Sequence, residues 1–275
     1  MKLPRNKNFL LEAKNINKTY IKTSGFFVKK KMEIKALNGV SLSIQKGKTL
    51  AIVGESGSGK STLARCLLQL QSIDSGVVKF KGKDINSLNI KELKNLKHEV
   101  QMVFQDPYAS LNPRMKIQDI IAEGLVIHQI GTPLEIKRKV SDMIKRVGLS
   151  QSDLVKYPHE FSGGQRQRIG IARALIVEPK LVICDEPVSA LDVSIQAQIL
   201  LLLKLFQKEM RLSYLFISHD LRVVRHIADE IIVMHQGKIV ERARADKLYT
   251  KPEANYTKEL LNSIPGKPFK FNLIH

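Results

Sequence analysis

Apolar residues recur along this chain with two periods, and the switches between them predict an order of elements. Leu10-Leu-Glu-Ala-Lys-Asn-Ile16 and Leu37-Asn-Gly-Val-Ser-Leu-Ser-Ile44 alternate with period two, which predicts half-buried strands. A polar loop containing glycine and lysine joins them. The run Thr49–Val53 reads as a buried strand, and Leu63, Leu67 and Leu70 then share one helical face. Gly76–Gly82 reads as a further strand closed by turns. From Ile90 to Ser152 the character is helical, with 3.6-period apolar faces over 117–127 and 133–147 and a stop at Gly148. Another helix is predicted over Gln165–Val177, ended by Pro179. Then come a strand at Leu181–Cys184, a long helix over Val193–Met210, a strand at Tyr214–Ile217, a helix, and a strand at Ile231–Met234. Gly237 reads as a tight turn before Lys238-Ile-Val-Glu. Strands alternating with helices predict a parallel sheet covered on both faces. No internal repeat or low-complexity segment appears, and the polar, proline-containing stretch from Ala245 to His275 reads as a peripheral extension.

The chain has 275 residues, enough for one large domain or two small ones, and 43% hydrophobic content supplies a core. Cys66 and Cys184 stand far apart without metal-type spacing, which fits a reducing compartment and argues against a disulfide framework or zinc site. No apolar run approaches the ~20 residues that span a bilayer. The basic start, Met1-Lys-Leu-Pro-Arg-Asn-Lys-Asn, is followed by no apolar stretch of secretory type. The net charge of +19 has three readings: a nucleic-acid surface, contact with an anionic leaflet, or lysine scattered over an ordinary surface. The scatter and the lack of interleaved aromatics favour the third, and the dense run Lys29–Lys31 falls in the predicted loop.

Candidate chemistry begins at Gly54-Glu-Ser-Gly-Ser-Gly-Lys60-Ser61, which matches G-x-x-x-x-G-K-[ST] between a predicted strand and a predicted helix. Glycines let backbone N–H groups turn toward phosphate oxygens, and the helix N-terminus adds partial positive charge. Lys60 suits β/γ-phosphates and Ser61 suits Mg2+. A second site is the apolar strand that ends in Asp185-Glu186. Carboxylates after buried residues are costly unless compensated, and Mg2+ at a phosphate site would compensate them. Side chains alternate along a strand, so Asp185 addresses the metal and Glu186 the other way, toward a water.

Ser162-Gly-Gly-Gln165 opens a helix shortly before those acids. It strongly resembles the signature of ATP-binding-cassette (ABC) proteins. Gln105 in Val-Phe-Gln-Asp-Pro, the segment Ser189-Ala-Leu-Asp192 and His219 after a strand complete that family's set in order over residues 8 to 245. The resemblance implies an α/β fold: a three-layer RecA-like P-loop NTPase core (8–105 and 163–245), an antiparallel β subdomain, an inserted helical subdomain (106–162) and an extension (246–275). It also implies roles. Gly54, Glu55, Ser56, Gly57, Ser58, Gly59, Lys60, Ser61 and Thr62 bind ATP. Ser61, Gln105 and Asp185 serve Mg2+. Glu186 orients the attacking water, and His219 contacts the γ-phosphate and holds Glu186. Tyr20 stacks on adenine. Ser162, Gly163, Gly164 and Gln165 contact ATP held by a second cassette, so a dimer is implied, with a sister cassette or with another copy.

The segment Val103–Met115 around Gln105, the stretch Glu186–Gln198 and the tail Tyr256-Thr-Lys-Glu-Leu-Leu resemble bacterial dipeptide, oligopeptide and nickel importers. Ala254-Asn255 stands where that group often has His-Pro, and Phe161 replaces the commoner Leu. No cysteine follows Cys184, so an iron–sulfur cluster is not expected. The implied function is the ATPase subunit of an importer of di- or oligopeptides, with nickel or metallophore import as the alternative. The implied partners are two transmembrane permease subunits and, indirectly, an extracytoplasmic binding protein, at the cytoplasmic face of the cell membrane. A soluble cassette acting on nucleic acid is the rival class; the importer-type sequence around Gln105 opposes it, and no nucleic acid is expected.

Overall fold

The structure, a computed structural model, describes residues 9–24 and 30–264. Met1–Asn8, Lys29 and the end of the tail lie outside the described residues. Along the chain run β1 (Phe9–Ser24), β2 (Lys30–Gln45), β3 (Thr49–Val53), α1 (Lys60–Leu67), β4 (Ser75–Phe80) and β5 (Lys83–Asp84). Then come α2 (Ile90–Glu99), β6 (Val100–Val103), α3 (Pro107–Ser110), α4 (Ile117–His128), α5 (Pro133–Arg146) and α6 (Gly163–Leu175). The last third holds β7 (Leu181–Asp185), α7 (Val193–Met210), β8 (Ser213–Ile217), α8 (Leu221–Ile227), β9 (Glu230–His235), β10 (Lys238–Arg244), α9 (Ala245–Thr250) and α10 (Asn255–Asn262).

One six-stranded sheet, ordered β10-β9-β3-β8-β7-β6, forms the middle layer. Its five strands from β9 to β6 are parallel, and β10 is an antiparallel edge. The buried strands read as unbroken apolar runs because each face has its own core. Ala51, Val53, Val182, Cys184, Tyr214 and Phe216 enter the core shared with α4 to α7. Their neighbours Leu50, Ile52, Leu181, Ile183, Leu215 and Ile217 enter the core shared with α1 and the second sheet. That second sheet is antiparallel, ordered β2-β1-β4-β5. The result is three layers: antiparallel sheet with α1, parallel sheet, helices.

Four predictions are corrected. Residues Ile90–Ser152 are not helical throughout: Val100–Val103 is a parallel edge strand paired with Leu181–Cys184. Four residues directly after a helix carry too little pattern to separate the two periods. The β1–β2 hairpin reaches much further than its apolar core. Lys30 and Lys31 pair with Ser24 and Thr23 inside β2 rather than lying in a loop. Beyond the core both faces of the ribbon meet solvent, as Ile21 and Ile34 do, so no burial signal marks it. Leu70 is not on the α1 face: Gln69 turns left-handed (φ 54°), and Leu70 is 59% exposed.

The described part of the tail, 245–264, read as peripheral, is docked. Leu248 and Thr257 are fully buried, and the Glu241 carboxylate of β10 accepts the Glu253 and Ala254 N–H groups at 2.9 and 3.0 Å. Its anchor is one buried carboxylate and a few apolar side chains, which hydrophobic periodicity does not register. Burial works against the charged form of Glu241. The Thr257 hydroxyl beside it, the two amides and Lys247 outweigh burial and hold the carboxyl below its ordinary range.

A carboxyl with a lowered folded-state pKa adds stability above its unfolded pKa and loses it as pH falls through the folded value. Glu241→Ala is therefore expected to cost about 1–3 kcal/mol at neutral pH by orphaning two amides. Thermal unfolding at pH 7 should show a Tm lower by roughly 2–4 °C per kcal/mol. Wild type and variant should converge at acid pH. An unchanged Tm at pH 7 would refute the docking role of Glu241.

Candidate active site

Between β3 and α1 the chain bends through Gly54–Gly59. Gly57 and Gly59 adopt φ of +80° and +103°, a region that only glycine enters freely. Left-handed turns of this kind direct successive N–H groups into one concavity, the electrostatic complement of a phosphate. Neighbouring backbone fixes the loop's position. A Cβ on Gly54 would lie 2.2 Å from the Met234 carbonyl oxygen of β9, and one on Gly59 would lie 2.3 Å from that of Ala36 in β2. The β9–β10 turn completes the clamp: Gly237 N–H donates to the Ser58 carbonyl at 3.0 Å, and Asn38 N–H donates to the Gly237 carbonyl at 2.9 Å.

Lys60 opens α1 and is buried. Its Nζ donates to the carbonyls of Gly54 and Glu55, both at 2.8 Å, so the loop itself fixes the ammonium. Burial lowers the Lys60 pKa, while the carboxylates of Glu186, Asp185 and Glu55 oppose that shift. Asp185 ends β7, is also buried, and accepts the Ser61 hydroxyl at 3.0 Å. Burial pushes its carboxyl upward, Glu186 adds to that, and the Ser61 hydrogen bond with Arg65 and Lys60 pulls the other way. Ser61, Asp185 and Gln105 offer only hard oxygen ligands, the donor set that suits Mg2+.

Strand alternation does not set the direction of Glu186, because the strand ends at Asp185. Glu186 takes φ +47°, a strained region for a residue with a side chain. Its N–H donates to the Ile217 carbonyl at 3.0 Å, and its carbonyl accepts the Ser189 hydroxyl at 3.1 Å. The turn aims Oε2 at two partners at once. Gln105 Nε2 donates to it at 3.2 Å, and His219 Nδ1 lies 3.1 Å away. An ionised carboxylate only accepts, so that contact puts a proton on Nδ1.

Gly54, Glu55, Ser56, Gly57, Gly59, Lys60, Ser61, Thr62, Gln105, Glu186 and His219 line one open cleft of about 860 Å3. Ser58 lies just beneath, buried. Five of the expected residues stand elsewhere. Ser162 caps α6 through a reciprocal pair of bonds with Gln165, and Ser162, Gly163 and Gln165 are exposed and line no part of this cleft, nor does Gly164. Tyr20 is half-buried on β1, donates its hydroxyl to Gln71 at 2.6 Å, and is not a lining residue. The sequence reading missed Ile34, Lys35, Ala36, Gln236, Leu260 and Ser263, which complete the lining. A signal for the last two existed: Tyr256, Leu260 and Ser263 are spaced i, i+4, i+7.

The ABC transporter family profile matches residues 37–189. The oligopeptide transport ATP-binding protein OppF of Streptococcus mutans is 50% identical over 96% of this chain and 84% of its own length. The oligopeptide transport ATP-binding protein AppF of Bacillus subtilis is 51% identical over 94% of this chain and 79% of its own. The dipeptide transport ATP-binding protein DppF of Lactococcus lactis is 50% identical over 94% and 81%. Among solved structures, a dimeric post-hydrolysis state of the ATP-binding cassette MJ0796 bound to ADP and Pi superimposes with TM-score 0.75 at 29% identity, covering 86% of this chain and 98% of that one. cbiO1 from Clostridium perfringens gives 0.74 at 28%, covering 89% and 92%.

The two left-handed glycines differ in what a side chain would meet. A Cβ on Gly57 finds nothing within 4 Å, whereas one on Gly59 strikes backbone. Gly57→Ala should cost only the left-handed penalty, about 1–2 kcal/mol. Gly59→Ala should cost more, because Ala36 and the loop must separate. Thermal melts that rank the two equally would overturn the account of the clamp.

Proposed function

The chain belongs to the ABC transporter family, and on that premise we propose that it is the ATP-hydrolysing subunit of an importer of oligopeptides or dipeptides. Hydrolysis is supported above all by the single carboxylate oxygen of Glu186, reached by both Gln105 and His219 at one end of the cleft that the phosphate loop lines. The peptide reading is supported by relatives named for oligopeptide and dipeptide transport at about half identity over nearly the full chain. None of those three is named for nickel.

ATP lays its triphosphate along the amides of Gly54–Thr62, with Lys60 as the fixed positive charge. Bound Mg2+ would be held by Ser61, Asp185 and Gln105 and would neutralise charge on the β- and γ-oxygens. Glu186 orients a water and takes up its proton as the water oxygen bonds the γ-phosphorus and the bond to the bridging oxygen of ADP breaks. His219 keeps the carboxylate aimed and senses the γ-phosphate. Gln105, at the border of the helical region, carries the state of the site to the surface beside it.

Ser162, Gly163 and Gln165 are exposed, and none of Ser162 to Gln165 lines this chain's own cleft. Their place is over the ATP of a second cassette, a sister subunit or another copy, with two permease subunits spanning the membrane above. No helix among the described residues is long and apolar enough to cross a membrane. In this reading the subunit docks on the permeases at the cytoplasmic face of the membrane.

Glu186→Gln should bind ATP with near wild-type affinity and hydrolyse it about 10²–10⁴-fold more slowly in the assembled transporter. Normal turnover would sink the role of Glu186. Lys60→Ala should weaken ATP binding itself, which calorimetry reads directly; unchanged affinity would contradict the phosphate-loop assignment. For the cargo, cells lacking this chain should lose oligopeptide uptake and regain it with wild type but not with Glu186→Gln. Normal peptide uptake in the deletion, with nickel uptake lost instead, would reverse the choice of solute.

A further inference from the structure

One side chain of the tail touches the phosphate loop. The Tyr256 hydroxyl, in the first turn of α10, accepts the N–H of Glu55 at 3.3 Å. Its ring packs against His235, with centroids 4.0 Å apart. His235 ends β9 and follows Met234, whose carbonyl oxygen a Cβ on Gly54 would strike. Burial raises the Tyr256 pKa; the Glu55 amide opposes that rise and the Glu55 carboxylate adds to it. The phenol therefore keeps its proton at neutral pH. The tyrosine is also held from behind. Thr257, next in the chain, is fully buried, and the Glu241 carboxylate of β10 fixes the approach to α10 through the amides of Glu253 and Ala254.

What Tyr256 holds is one edge of a single planar unit. The Glu55 N–H and the Gly54 carbonyl belong to the same trans peptide, so they point in opposite directions. At the opposite edge, the Gly54 carbonyl accepts the Lys60 ammonium at 2.8 Å. The Glu55 carbonyl accepts the same ammonium, also at 2.8 Å. Rotation of the Gly54–Glu55 unit would swing a carbonyl off Lys60. Gly54 itself resists that rotation little, because it has no Cβ to restrict its backbone angles. Lys60 is buried, and burial disfavours its charged form, so each acceptor it keeps matters. A hydrogen bond at the N–H edge opposes the rotation from outside the loop.

We propose that Tyr256 is a positioning residue for Lys60: its hydroxyl locks the Gly54–Glu55 peptide in the orientation that presents the ammonium to the β- and γ-phosphates of ATP. This rests on the ATP-binding reading given above. It makes the C-terminal helix a brace of the phosphate loop. The brace acts at the phosphates and leaves recognition of the base untouched. A small misplacement of a binding group far from the chemistry is costly, which is why a brace at the outer edge of the loop matters to the site inside it.

The test is calorimetry on the full chain with two probes, Mg-ATP and Mg-triphosphate, the second sharing the phosphates but lacking the nucleoside. Tyr256→Phe keeps the ring on His235 and removes only the hydroxyl. It should weaken both probes by the same factor, about threefold to tenfold, the range that one hydrogen bond spans. The number of binding sites per chain should stay as in wild type. Tyr256→Ala, which also gives up the ring contact, should lose at least as much affinity for both. A merely structural role gives a different result, fewer sites at wild-type affinity, because unfolded chains drop out of the titration while folded ones bind normally. That result overturns the inference. So does unchanged affinity for both probes in Tyr256→Phe, and so does a loss confined to Mg-ATP. Lys60→Ala separates the inference from its premise. If Lys60→Ala binds both probes more weakly while Tyr256→Phe binds as wild type, ATP binding stands and the brace fails. If Lys60→Ala binds both probes as wild type does, the ATP-binding reading itself fails.

Discussion

Everything in the site depends on one close approach, the packing of the phosphate loop's backbone against two other backbones. Gly54 meets the Met234 carbonyl and Gly59 meets that of Ala36 at distances no side chain tolerates. Gly237 closes the same contact from the turn, where a Cβ would lie 2.8 Å from the Ala36 carbonyl. The parallel sheet supplies β9, the antiparallel sheet supplies β2, and the loop is wedged between them. Hydrogen bonds from Gly237 to Ser58 and from Asn38 to Gly237 lock the arrangement. A cradle of amides held this way meets an incoming phosphate with little reorganisation, which is where its electrostatic value comes from.

The charges in the cradle are costly to hold. Lys60 and Asp185 are both buried, and burial shifts each toward its neutral form. They persist because each has local partners: two loop carbonyls for Lys60, the Ser61 hydroxyl for Asp185. A group disfavoured as a charge in isolation is one that gains most when a complementary charge arrives. Glu186 adds backbone strain at φ +47°. Strain at a carboxylate reached by both Gln105 and His219 fits a residue held for its direction rather than for stability.

The glycine loop and the acid pair of the candidate site were legible in the sequence because their residues are short-range: glycines, a lysine and a serine within eight positions, and two acids at the end of one strand. The fold class was legible for a similar reason, since strands buried on both faces appear as unbroken apolar runs. Other features were not. β6 is too short to carry a period of its own. The outer β1–β2 ribbon has solvent on both sides. The tail is held by Glu241, a residue whose sequence context gives no hint of two amides waiting twelve and thirteen positions away.

The sequence by itself determined where the glycine loop stands and where most strands and the long helices run, because local backbone freedom and hydrophobic periodicity are written in neighbouring residues. The direction of Glu186, the placement of Ser162 to Gln165 outside their own cleft, and the arrival of α10 beside the phosphate loop were decided only in three dimensions. Each depends on contacts between segments 30 to 200 positions apart. Such contacts depend on the sheet order β10-β9-β3-β8-β7-β6, which brings together segments that are far apart in the chain.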